Sequence, residues 1–85
     1  MIDIDAIRYS KINRERTAKN IKALRAKHGL SVSDMLLAVR LCNPRTIYEW
    51  ENGKKLPTLE HFVTLTDVYQ CDIEDILVVE LEKTI

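Results

Sequence analysis

With 85 residues, 46% hydrophobic and 31% charged, the chain has the length and composition of one small globular domain, and it has no repeat or low-complexity segment. The net charge of zero hides an asymmetry: residues 1–58 hold twelve Lys/Arg against six Asp/Glu (+6), and residues 59–85 hold one Lys against seven acids (−6). That split suits a nucleic-acid face backed by an acidic tail, and equally a merely solvated surface. No apolar run can span a bilayer, and Met1-Ile2-Asp3-Ile4-Asp5 lacks the pattern of a signal peptide, so a cytoplasmic protein is expected.

Caps and periodicity predict five short helices. The first covers Arg14 to His28, with Ala18, Ile21 and Leu24 at three-residue spacing, and stops at Gly29 after Lys27 and His28. Ser31 caps the second, with Asp34 three residues on; Val32, Met35, Leu36 and Val39 make its buried face. A break at Arg40 to Cys42 follows. Asn43 caps the third helix and Pro44 fits its first turn, where a missing N–H costs nothing. Ile47 and Trp50 share one face, which makes Trp50 a core residue, and Asn52-Gly53 ends the helix. Thr58 caps the fourth, in which Leu59, Phe62, Val63, Leu65, Thr66 and Tyr69 form an apolar stripe; Leu59, Phe62 and Leu65 are expected in the core. Asp72 and Asp75 bracket a fifth, short helix with Ile73, Ile76 and Leu77. At the ends, Ile2, Ile4 and Ala6, and again Val79, Leu81 and Lys83, alternate with polar residues as extended segments do. The expected fold class is all-α, a compact five-helix bundle with short extended ends. Its divisions are an extension over 1–13, a helical domain over 14–78 and a tail over 79–85.

Cys42 and Cys71 are too few for a disulfide framework and lack C-x-x-C spacing, so both are expected as small buried hydrophobes. His28 and His61 stand 33 residues apart, with no metal-ligand spacing. No metal or cofactor is expected. Nor is an enzyme, since no nucleophile–base set, phosphate-binding Gly-rich loop or carboxylate pair is visible.

Two helices joined by a tight turn make a helix-turn-helix, whose second helix enters the DNA major groove. Leu24-Arg25, Gly29-Leu30-Ser31, Ile47-Tyr48-Glu49-Trp50-Glu51-Asn52-Gly53-Lys54 and Leu56-Pro57-Thr58-Leu59 resemble the Cro/lambda-repressor-like (XRE) family over about residues 14–77. The pattern I-x-x-W-E-x-G-x-x-x-P-x-L is the specific part. The resemblance implies a recognition helix from Asn43 to Asn52, with Pro44, Arg45 and Glu49 at base edges and Tyr48 beside them. Arg45 suits a bidentate pair to guanine, and Glu49 would have to accept from cytosine N4. Asn52 and Lys54 fall at phosphate contacts, with Lys55 placed to help, and Arg25 and Glu51 match a structural ion pair. Val32 stands where the family has Gln, which leaves a phosphate contact there to Ser33 or to backbone N–H groups. The turn is one residue longer than in the best-known members.

The expected function is a sequence-specific regulator, a repressor, bound to double-stranded DNA. The alternatives are an antitoxin with a protein toxin as partner, or an interaction module that has lost DNA binding, as Glu49 and the near-neutral pI of about 6.7 would suit. A homodimer on a two-fold site is expected. Its contact surface would be the apolar ends, Ile2, Ile4 and Ile7 with Val78, Val79, Leu81 and Ile85, which pair as strands within one chain or between two.

Overall fold

In the computed structural model, which describes residues 2–83 without the side chain of Lys83, four α-helices follow one another between two terminal strands. The elements are β1 (Arg8–Ile12), α1 (Arg14–Lys27), α2 (Val32–Val39), α3 (Pro44–Glu51), α4 (Leu59–Val68) and β2 (Val79–Lys83). Single 3₁₀ turns lie at Ile4–Ala6 and Ile73–Asp75.

Each helix starts on a side chain that accepts an otherwise unpaired backbone N–H. Asn13 accepts from Arg16, Ser31 from Asp34, Asn43 from Arg45 and Thr58 from His61. Asp34 returns the bond to the Ser31 N–H at 2.9 Å, closing a reciprocal box; these bonds hold its carboxyl below the usual range. The ends are equally regular. A left-handed residue turns the chain after every α-helix: Gly29 (φ 65°), Arg40 (φ 57°), Gly53 (φ 79°) and Gln70 (φ 51°). The N–H one residue further on then reaches back to a carbonyl of the last turn, Leu30 to Arg25, Leu41 to Leu36, Lys54 to Glu49 and Cys71 to Thr66.

The core gathers one stripe from each helix: Ile21 from α1, Met35 and Val39 from α2, Ile47 and Trp50 from α3, Phe62 and Leu65 from α4. Tyr69 and Ile76 close it. Two polar side chains, one of them buried, fasten the C-terminal segment to α1. Thr17, with no exposed surface, accepts from the Val78 N–H at 3.1 Å, and Asn20 donates to the Ile76 carbonyl at 3.1 Å.

The expected all-α, five-helix bundle needs correction at both ends. Asp72 and Asp75 cap only one 3₁₀ turn, because the chain must straighten at Val78 to meet Thr17. Beyond that point the tail is β2, antiparallel to β1 with Ile12 opposite Val79, Ser10 opposite Leu81 and Arg8 opposite Lys83. The tail therefore pairs within one chain with Arg8–Ile12, and not with the expected extended segment at Ile2, Ile4 and Ala6, of which Ile4 and Ala6 lie in a 3₁₀ turn capped by Asp3; Ile85 lies outside the described residues. Leu59 is also not core. It is 75% exposed, since the buried stripe of α4 runs through Phe62, Leu65 and Tyr69 and the first-turn Leu59 projects to one side of it. Cys42 is exposed in the α2–α3 turn, and Cys71 is half-buried rather than buried. Burial against the core and the nearby Asp75 and Asp72 push the Cys71 thiol up.

Candidate nucleic-acid interface

The face of α3 opposite Ile47 and Trp50 is set by helical spacing. Arg45, Tyr48 and Asn52 lie three and four residues apart, and all are exposed. Pro44 and Asn43 extend this face at the N-terminal end, also exposed. Asn43 spends its Oδ1 on the Arg45 N–H, which leaves its amide N–H₂ to donate outward. Asn52 is similar: its Oδ1 accepts from the Lys54 N–H at 2.9 Å and its amide remains a donor. Carboxamide donors at both ends and a guanidinium between them suit an acceptor-rich partner.

Glu49 is less open. Its side chain is only 13% exposed, with Oε2 3.8 Å from Lys55 Nζ, so a cation offsets its charge. Helical spacing sets Glu49 at the edge of the Arg45–Tyr48–Asn52 face, but its side chain is largely covered and Lys55 is engaged with it. Among the described residues the ion pairs are Glu15–Lys19, Arg25–Glu51 and Glu49–Lys55. Arg45 and Lys54 therefore present their charge with no carboxylate partner among the described residues. Ser33 is exposed on the first turn of α2, a separate element that packs against α3.

The orientation of α3 rests on Arg25 and Glu51. Arg25 Nε and Nη2 donate to the two Glu51 oxygens at 2.6 and 2.9 Å, and Nη1 donates to the Leu30 carbonyl at 3.2 Å. One guanidinium thereby ties α1, the turn before α2 and the end of α3. The bond to Glu51 raises the Arg25 pKa. A second brace was not visible in the sequence. A Cβ at Gly53 would sit 3.5 Å from the Arg14 carbonyl, so the start of α1, with the exposed Arg14, lies alongside the loop that carries Asn52 and Lys54. Nothing in the spacing of residues 14 and 53 signals that approach.

Among the described residues no group of three or more His, Cys, Asp or Glu is placed to hold a metal ion, and no described helix is long and apolar enough to cross a membrane. A helix-turn-helix family model matches residues 21–76. No curated protein matches the chain in sequence. Among solved structures, the clp gene regulator ClgR from C. glutamicum is 22% identical over 74% of this chain and 80% of its own, with a TM-score of 0.65. A transcriptional regulator from Listeria innocua is 21% identical over 72% of this chain and 56% of its own (TM-score 0.66). The restriction-modification controller protein C.AhdI from Aeromonas hydrophila is 16% identical over 75% of this chain and 96% of its own (TM-score 0.67). At such identities these likenesses concern the fold alone.

Proposed function

Because the chain belongs to the XRE-type helix-turn-helix family, we propose that it is a sequence-specific double-stranded DNA-binding regulator, a repressor, with no enzymatic activity. α3 and its cap, Asn43 to Asn52, enter the major groove. The observation that carries this reading is the outward face of α3, where Arg45 and Tyr48 are exposed while the Glu49 side chain is largely covered and offset by Lys55.

Arg45 is the base-reading residue, through a two-pronged donation to guanine O6 and N7, with Tyr48 and Pro44 packing against neighbouring base edges. Asn43, Asn52 and Lys54 bind phosphate oxygens on either side of the groove, and Ser33 does so from α2. Lys55 acts chiefly by neutralising Glu49, which removes the repulsion an acid in the groove would create. The protein works in the cytoplasm as a homodimer, because one helix of this length reaches too few base pairs to single out a site among a genome of competitors. Its two recognition helices would then meet half-sites about 34 Å apart.

Selection of bound duplexes from a random pool tests this reading. A two-fold symmetric consensus with a guanine in each half-site, whose preference relaxes in Arg45→Ala, is the expected result. Recovery of unselected sequence alone would refute it.

A further inference from the structure

The β1–β2 ribbon stands away from the helical core. The molecule extends 47 Å along one axis against 23 and 21 Å across it, and its radius of gyration of 14.8 Å exceeds the roughly 12 Å expected of a compact chain this long. The two strands pair with each other, and neither packs extensively on a helix. Such a ribbon is marginal in water unless further strands or an apolar support join it, and its open edges invite them.

The phase of the ladder shows what each edge offers. The Asn13 N–H donates to the Val78 carbonyl at 2.8 Å, one step below the Ile12–Val79 pair. Antiparallel bonds alternate, so Lys11 and Tyr9 turn their backbone groups inward to Glu80 and Glu82. Arg8, Ser10 and Ile12 turn theirs outward from β1, as Val79, Leu81 and Lys83 do from β2.

The two edges differ in what a second copy would meet. For β1 paired with itself about Ser10, Arg8 faces Ile12, Ser10 faces Ser10, and Tyr9 faces Lys11; no like charges are opposed. Across that sheet each Lys11 lies between its own Glu80 and the other copy's Tyr9, whose ring suits a cation. For β2 paired with itself about Leu81, Glu80 would face Glu82 twice, which repels.

We propose that two copies of this chain join through antiparallel β1–β1 pairing across a two-fold axis at Ser10, making one four-stranded sheet in the order β2-β1-β1-β2. This specifies the surface of the homodimer and rests on that part of the functional reading, independently of any DNA contact. The pairing is isologous, so it closes at two copies. It also merges the Ile12, Val79 and Leu81 side chains of both copies onto one face of the sheet.

The test uses the full chain in a sedimentation equilibrium series. The parent is expected at twice 9.9 kDa. Ser10→Pro removes an N–H that points away from β2, so it should sediment at the single-chain mass with an unchanged helical circular dichroism spectrum. Ser10→Cys, with Cys42 and Cys71 changed to Ser, should oxidise to a linked dimer, because directly opposed residues of this type stand about 5.5 Å apart. A parent that is monomeric at every concentration overturns both the dimer and this surface. A dimer that survives Ser10→Pro and gives no Ser10→Cys cross-link overturns this surface and leaves the dimer standing. Duplex retention, measured separately, reports on the DNA reading alone.

Discussion

Arg25 and Glu51 form a two-pronged ion pair that joins the first helix to the end of the third, with side chains only 19% and 5% exposed. Such a pair is held by geometry more than by charge, since desolvating both groups offsets much of their attraction. Its value lies in fixing where α3 points.

Removing one member strands the other. Arg25→Ala leaves the Glu51 carboxylate sheltered and unpaired, and should cost about 3 kcal/mol, the low end for a broken buried pair because the guanidinium is partly wet. Arg25→Lys supplies one donor direction instead of the fork and should recover only part of the loss. Urea denaturation of the two variants measures both.

Trp50 is 4% exposed, and its ring centroid lies 5.1 Å from that of His61. Trp50→Ala should lower stability by ~3–5 kcal/mol through lost burial and a residual cavity. For a domain of this size that shifts the melting midpoint by well over ten degrees, readable by calorimetry.

Gly53 separates backbone strain from packing. An added Cβ would meet only ordinary contacts, the nearest at 3.5 Å, so space is not limiting. The φ of 79° is. Gly53→Ala should cost ~1–2 kcal/mol, and Gly53→Asn less, because Asn tolerates the left-handed region. Equal denaturation midpoints for Gly53→Ala and the parent would count against this turn.

Tyr69 gives an alkaline signature. Burial chiefly, with the Glu51 charge adding, pushes its phenol up to about 12. The folded state therefore keeps its proton where the unfolded chain, near 10, has lost it. The resulting contribution to stability is complete below pH 10 and is lost as pH rises from about 10 to 12. Tyr69→Phe should remove that decline. At neutral pH it gives up one weak bond to Met35 Sδ at 3.6 Å. Denaturation midpoints of both proteins between pH 8 and 11.5 provide the comparison.

The helices were legible in the sequence because their ends are chemical. Asn13 aside, every N-cap was signalled by a residue type with one local job, Ser31 with Asp34, Asn43 before Pro44 and Thr58 after Pro57, and two of the four exits were, at Gly29 and Gly53; Arg40 and Gln70 take the left-handed conformation without a residue type that announces it. The buried side of α4 was harder. Leu59, Phe62, Val63 and Leu65 all fit a helical period, and period alone does not choose between two stripes a fraction of a turn apart. Tertiary contact chose the one through Phe62 and Leu65. The β1–β2 pairing joins residues about seventy apart, and the Thr17 and Asn20 bonds that guide the tail there are ordinary polar side chains in sequence. At the candidate interface, the resemblance supplied the positions and the structure supplied the directions. Glu49 shares α3 with Arg45 and Tyr48, yet its carboxylate lies near Lys55, and nothing in the spacing of residues 49 and 55 signals that pairing.

The Glu49–Lys55 pair should be coupled in DNA binding. Lys55→Ala should weaken DNA binding beyond the loss of one cation, because it frees the Glu49 charge beside the groove. Glu49→Gln in the same chain should restore most of the loss. Fluorescence anisotropy on a selected duplex reads the cycle, and additive effects of the two substitutions would speak against the coupling.

Whether α3 reads DNA is decided by the salt dependence of duplex binding for the parent, Arg45→Ala and Lys54→Ala. Arg45→Ala should lose about 1–3 kcal/mol on its selected site and little on unrelated sequence. Lys54→Ala should weaken all duplexes alike and make the slope of log K against log salt shallower by roughly one. No retention of any duplex at low salt, or three superimposable salt curves, would show that α3 does not read DNA.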